Sequence, residues 1–233
     1  DQVWNPLFRD GSPIDFLVFA PKHKRIAYAP SFGISTIPEP FVERYVKWLS
    51  EMGHLSVREQ AGADLIRKLT GREAVVLVDP TLMLTKQQWL SLAKPTLHKP
   101  KKPYLLTYFL GNVTDEYERE IARIASANGL DIVRLSDLRD KKRYAVDPAE
   151  FIDYIHSAAI LLTDSFHGAV FSLLLEKPFV VFDRQDKIPS MGSRINTLLT
   201  TFQLQSRKWG SLDRDNLFDI SFDHVPPILE AER

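Results

Sequence analysis

The run Ala158-Ala159-Ile160-Leu161-Leu162-Thr163-Asp164-Ser165-Phe166-His167-Gly168 continues directly into Ala169-Val170-Phe171-Ser172-Leu173-Leu174-Leu175 and then Pro178-Phe179-Val180-Val181-Phe182. Ala158 to Leu162 is uninterrupted and apolar, which fits a strand buried on both faces. Thr163, Asp164 and Ser165 are residues that cap helix N-termini. A helix from about Ala169 to Leu175 is expected next, then a second buried strand over Pro178 to Phe182. That is one strand–helix–strand unit of a parallel sheet. His167 and Gly168 fall where the strand hands over to the helix. In open α/β sheets this edge takes ligands, and a helix N-terminus offers unbonded N–H groups to an anion. A histidine that only bonds the turn remains the simpler alternative.

Composition narrows the class. The chain has 233 residues, 44% hydrophobic and 26% charged, enough for one large domain or two small ones. Thirty basic side chains balance thirty acidic ones, so no bulk charge argues for nucleic acid or an anionic surface. Without cysteine there is no disulfide, no thiolate metal site and no cysteine nucleophile. No apolar stretch approaches the roughly 20 residues of a membrane span. The six histidines are dispersed, with no metal-ligand spacing between them. Phosphate-binding Gly-Lys-Ser/Thr loops, Gly-x-Gly-x-x-Gly and Gly-x-Ser-x-Gly elbows are also missing, which argues against nucleotide hydrolysis, dinucleotide binding and α/β-hydrolase chemistry.

Moving outward, α/β alternation continues in both directions. Arg25 to Ala29 reads as a strand closed by Pro30-Ser31-Phe32-Gly33. Phe41, Tyr45, Trp48, Leu49 and Met52 recur at helical spacing, and their aromatics are core contacts rather than a cofactor box. His54 to Val57 and Ala74 to Val78 read as strands on either side of a helix from Gln60 to Leu69, which Gly71 ends. Between Thr85 and Pro103, Pro95, Pro100 and Pro103 with Lys94, Lys99, Lys101 and Lys102 then break the rhythm. A domain linker is expected there, its lysines solvated rather than bound to phosphate or membrane. A second series follows: a strand over Tyr104 to Leu110, a Thr114-capped helix over Asp115 to Ala127, and a strand over Ile132 to Leu135. A helix opened by Asp147-Pro148 runs to Ser157, and another covers about Arg194 to Phe202. From Ser206 on, Pro226-Pro227 speaks against a regular element. The expected architecture is α/β with two Rossmann-like parallel-sheet domains: residues 1–85, a linker over 86–103, and residues 104–233.

Ser165-Phe166-His167-Gly168 and its flanking strands resemble the signature of the polysaccharide pyruvyl transferase family. Asp1-Gln2-Val3-Trp4-Asn5, Ile26 to Gly33, Leu55-Ser56-Val57-Arg58-Glu59, Val78-Asp79-Pro80-Thr81-Leu82 and Ser193-Arg194-Ile195 resemble further family segments, in the family's order. The resemblance implies two domains facing across a cleft, as in B-type glycosyltransferases. It also implies a first domain incomplete at its N-terminus, because the first family segment opens at Asp1; the chain is then expected to be a piece, with loss of activity by truncation one expected outcome. Ser165 and Phe166 stand where some members carry arginine and leucine.

The family's reaction moves the enolpyruvate unit of phosphoenolpyruvate onto a sugar as a cyclic ketal and releases phosphate. A small multiply charged donor asks for arginines and helix N-termini. One carbon must gain a proton and a sugar hydroxyl must lose one, which suits a group titrating near neutrality. The resemblance thus makes His167 the catalytic acid/base. Arg58, Ser165, Gly168, Arg184 and Arg194 become donor-binding residues, and Ser31 and Gly33 shape the acceptor side. An ion pair of Arg58 with Glu59 or another carboxylate, a solvent-facing Arg194, and a capping or histidine-orienting Asp164 are the structural alternatives, and Asp79-Pro80 reads as a structural turn. No metal or cofactor is expected beyond phosphoenolpyruvate as donor substrate. The partners are a small donor and a sugar or lipid-linked oligosaccharide of a cell-surface or exopolysaccharide, with no nucleic acid. The setting is the cytoplasm, at the inner membrane face if the acceptor is lipid-borne. A nucleotide-sugar glycosyltransferase and a non-catalytic sugar- or anion-binding module are the competing functions.

Overall fold

The computed structural model describes residues 2–185, 192–212 and 216–233. In chain order the regular elements are α1 (Pro6–Arg9), α2 (Glu39–Ser50), β1 (Ser56–Val57), α3 (Gln60–Thr70), β2 (Val75–Val76), α4 (Lys86–Leu92), β3 (Tyr104–Tyr108) and α5 (Asp115–Ala127). Then come β4 (Asp131–Leu135), α6 (Lys141–Tyr144), α7 (Pro148–Ser157), β5 (Ile160–Thr163), α8 (Phe166–Leu174), β6 (Phe179–Val181), α9 (Ser193–Thr201) and α10 (Val225–Glu232). The chain divides into two compact units, one of residues 1–83, 188–197 and 232–233, the other of 84–187 and 198–231.

The second unit holds a parallel sheet in the order β4-β3-β5-β6. β3, β5 and β6 are buried almost throughout, as strands covered by helices on both faces must be. Ile160, Leu161 and Leu162 are fully buried, and each such side chain contributes about 1.5–3 kcal/mol of burial free energy. Local signals set the helices between the strands. Thr114 caps α5 by accepting from the Tyr117 amide, and Asp147 and Glu150 form a reciprocal capping box on α7 with Pro148 in its first turn. The order reverses between β3 and β5, so the crevice beyond their C-terminal ends is the switch point of this sheet.

The first unit is built around an aromatic cluster. Trp4 stacks on Phe16 at 5.0 Å, and Tyr45 and Trp48 of α2 also close on Phe16, at 5.0 and 4.9 Å. The polar ends of Trp4 and Tyr45 are satisfied within the core. The Trp4 indole donates to the Asp15 carbonyl and the Tyr45 hydroxyl to the Trp4 carbonyl. β1 and β2 pair in parallel, and α3 ends at Gly71, whose φ of 70° is left-handed.

Beyond strands that form over fewer residues than expected, three expectations differ from what forms. Arg25 to Ala29 makes a single bridge, Ile26 to His54, rather than a strand. Ala29 has φ of 45°, which turns the backbone out of the extended region, and its amide bonds the Ser56 hydroxyl instead of a ladder carbonyl. The stretch read as a linker opens with α4. Thr85 and Gln88 form a capping box there, and Trp89 packs edge-on against Phe171 of α8 at 5.0 Å. The tail carries α10 despite Pro226-Pro227, because both prolines lie in its first turn, where amides have no helical partner to lose.

Candidate functional site

The turn from β5 into α8 sits on the switch-point edge of the second unit's sheet. Thr163 donates its hydroxyl to the Tyr108 carbonyl at 2.6 Å and accepts from the Ser165 amide at 2.9 Å, so the end of β5 is tied both to β3 and to its own turn. Ser165 is the N-cap of α8, its hydroxyl accepting from the Gly168 amide at 3.3 Å. Gly168 lies so close to β5 that a Cβ there would meet Thr163 Oγ1 at 2.6 Å, and Thr163 is held too firmly to yield. Ser165 and Gly168 therefore have structural duties at the turn. His167, in the first turn of α8, is half-buried, with its ring edge-on to Phe166 at 5.3 Å.

Asp164 neither caps α8 nor serves as its N-cap. Its buried carboxylate reaches across the switch point, Oδ1 accepting from the Leu110 amide at 2.7 Å and Oδ2 from the Gly111 amide at 2.8 Å. Arg184, just beyond β6, brings Nε to 3.6 Å from the same carboxylate. Tyr108 lies within this field: burial raises its hydroxyl pKa, Asp164 adds to the rise, and Arg184 opposes it. Sequence reading did not find Asp164's partners, since they are backbone amides 54 and 53 residues away.

Beside the switch point a cleft of about 430 Å³ opens past the ends of β3 and β4, lined in part by Thr107, Phe109, Ser136 and Asp137. Its charges are paired. Arg134 meets Glu118 at 2.7 Å, and Arg139 holds Asp137 down to about 2 through paired hydrogen bonds.

In the first unit, Ser31, Gly33 and Arg194 gather around Glu59, which the sequence reading weighed only as an ion-pair partner for Arg58. Its carboxylate is fully buried. Oε1 accepts from the Ser31 hydroxyl at 2.9 Å and from the Phe32 and Gly33 amides at 3.1 and 3.2 Å, which pins a turn whose Gly33 has φ of 64°. Oε2 has no hydrogen-bond partner among the described residues. Burial raises the Glu59 pKa, while these hydrogen bonds and the charge of Arg194 oppose the rise. Arg194 is itself buried, not solvent-facing. Arg58 forms a buried ion pair, its Nη1 lying 2.8 Å from Asp79 Oδ2. Asp79 also accepts from the Thr81 amide and hydroxyl, so the turn read as structural carries the counter-charge of Arg58.

The raised pKa means that folded Glu59 holds its proton more tightly than the unfolded chain does. Its contribution is therefore most favourable at low pH, and stability falls as pH rises from the ordinary glutamate range through the raised value. Glu59→Gln keeps an acceptor oxygen for the turn and removes the charge. Its melting temperature is expected to gain on that of the native chain as pH rises from acid to neutral. A difference that stays constant with pH would rule out a titrating Glu59 as its source.

The family model for polysaccharide pyruvyl transferase matches residues 4–186, a span that includes Ser31, Glu59, Arg58, Asp79, His167 and Arg184. No curated protein and no solved structure matches the chain. The match covers most of the chain, from the aromatic core of the first unit to the end of the switch-point edge in the second, and by it the chain belongs to the polysaccharide pyruvyl transferase family.

Proposed function

We propose that the chain transfers the enolpyruvate unit of phosphoenolpyruvate to a sugar destined for a cell-surface or exopolysaccharide, forming a pyruvate ketal. The observation that carries this reading is the position of His167: inside the family match, in the first turn of a helix, at the switch-point edge of a parallel sheet. The donor's methylene carbon gains a proton and becomes a methyl group. Two sugar hydroxyl oxygens bond the adjacent carbon, phosphate leaves with its bridging oxygen, and the second hydroxyl proton goes to phosphate. His167 is the group that moves a proton in this scheme.

Arg184 is the cation best placed for the donor, being at the same sheet edge and only partly buried. Arg58 is held by Asp79, and its role is to shape the first unit rather than grip the donor. Ser165 and Gly168 hold the turn that presents His167, while Ser31 and Gly33, pinned by Glu59, remain the proposed acceptor side.

A thermal-shift titration with phosphoenolpyruvate tests the donor, with UDP-sugars and inorganic phosphate as controls. A ligand of the native state raises its apparent stability by mass action. A rise specific to phosphoenolpyruvate, reduced in Arg184→Ala, supports the reading. A rise with UDP-sugars and none with phosphoenolpyruvate would replace it with glycosyl transfer.

A further inference from the structure

The lysine-rich stretch after α4 follows a fixed path along α7. The Lys94 amide donates to the Ala149 carbonyl at 3.1 Å, and the Thr96 amide to the Asp153 carboxylate at 3.1 Å. Lys99 binds the same carboxylate at 2.7 Å, and Arg143 of α6 reaches the His98 carbonyl at 3.2 Å. Three cations of this face are spent internally: Lys94 on Asp147, Lys99 on Asp153, and Arg143 on Asp140. Lys101, Lys102, Lys141 and Lys142 are exposed and make no ion pair among the described residues. Against them stand Asp131, level with Tyr104 in the next strand, and Glu150, whose carboxylate is engaged by the Asp147 amide. Positive charge is thus in excess here, although the whole chain is neutral.

Leu97 projects from the middle of this stretch at 94% exposure, and Tyr144 beside the Arg143 anchor is 54% exposed. An apolar tip held among lysines on a braced loop suits the boundary between lipid headgroups and acyl chains. Lys101 and Lys102 precede β3 while Lys141 and Lys142 open α6, so the four cations come from two separate segments and each can meet a separate phosphate. A single small anion would need donors aimed at one centre. No helix among the described residues is long and apolar enough to cross a membrane, so contact with a bilayer through these residues would be made from its surface.

We propose that this face docks on an anionic phospholipid bilayer, with the four lysines over headgroup phosphates and Leu97 entering the interface. The docking stands independently of the donor chemistry. If the acceptor is carried on lipid, it brings the transferase to its substrate.

Co-sedimentation with phosphatidylcholine vesicles, with and without phosphatidylglycerol, tests this. The chain is expected to pellet with the anionic vesicles alone and to be released by high salt. Lys101→Ala with Lys102→Ala should weaken binding about 25-fold, from roughly fivefold for each lysine near a charged surface. Leu97→Ser should weaken it further while leaving the salt dependence in place. Both variants alter exposed side chains, and unchanged melting temperatures would confirm their fold. No pelleting by the native chain, equal pelleting with neutral vesicles, or unaltered binding by the double lysine variant would each overturn the proposal. Competition by duplex DNA as strong as the vesicle binding itself would also overturn it, by showing an unselective polyanion surface.

Discussion

His167→Ala is expected to lower turnover by about 10²- to 10⁴-fold, the range lost when a positioned proton-transfer group is removed. Its melting temperature should match that of the native chain. The turn has its own supports: Ser165 caps α8, Thr163 ties the end of β5 to β3, and Gly168 lets helix and strand approach. The loss should therefore be chemical rather than structural. Phosphate release from phosphoenolpyruvate in the presence of a sugar acceptor is the readout, and His167→Asn should be as impaired, because an amide cannot titrate. A folded variant within tenfold of the native rate would remove His167 from proton transfer. The assignment of the chain to its family would survive that result.

The second large effect concerns stability. Asp79→Ala removes the carboxylate 2.8 Å from the buried Arg58 guanidinium and also the acceptor of the Thr81 amide and hydroxyl. Breaking a buried pair from one side typically costs about 3–5 kcal/mol, because the remaining charge stays desolvated. Chemical denaturation should show a loss of that order. Replacing both partners by apolar residues, Arg58→Met with Asp79→Leu, should recover most of it, since the pair's own desolvation then disappears. A single variant within about 1 kcal/mol of the native chain would mean that solvent reaches Arg58 readily, contrary to its burial.

Elements set by neighbours in sequence were legible, and those set by distant partners were not. α5 and α7 begin and end where Thr114, Asp147-Pro148 and the apolar spacing place them, because caps act within one turn. β2 is two residues long although Ala74 to Val78 is wholly apolar. Strand length depends on what pairs beside it, and β1 provides only Ser56 and Val57. α10 was hidden by the habit of reading proline as a breaker, when position within the helix decides. At the site, His167 could be placed on the sheet edge from the run around it. Arg58 and Glu59 looked like a cation with a neighbouring acid. In the fold they face different partners, Asp79 and the Ser31–Gly33 turn, because only tertiary contacts determine which buried charge meets which.

The Asp164 carboxylate has a consequence for what this sheet edge can accept. Two consecutive amides after the first strand of the second unit are the seat that a ligand's diphosphate takes in many nucleotide-binding folds. Here the protein has installed a permanent internal guest, and the Leu110 and Gly111 donors are spent on it. An incoming nucleotide would have to evict a carboxylate of its own sign. A chain redesigned to seat a diphosphate on these two amides would have to begin by emptying position 164.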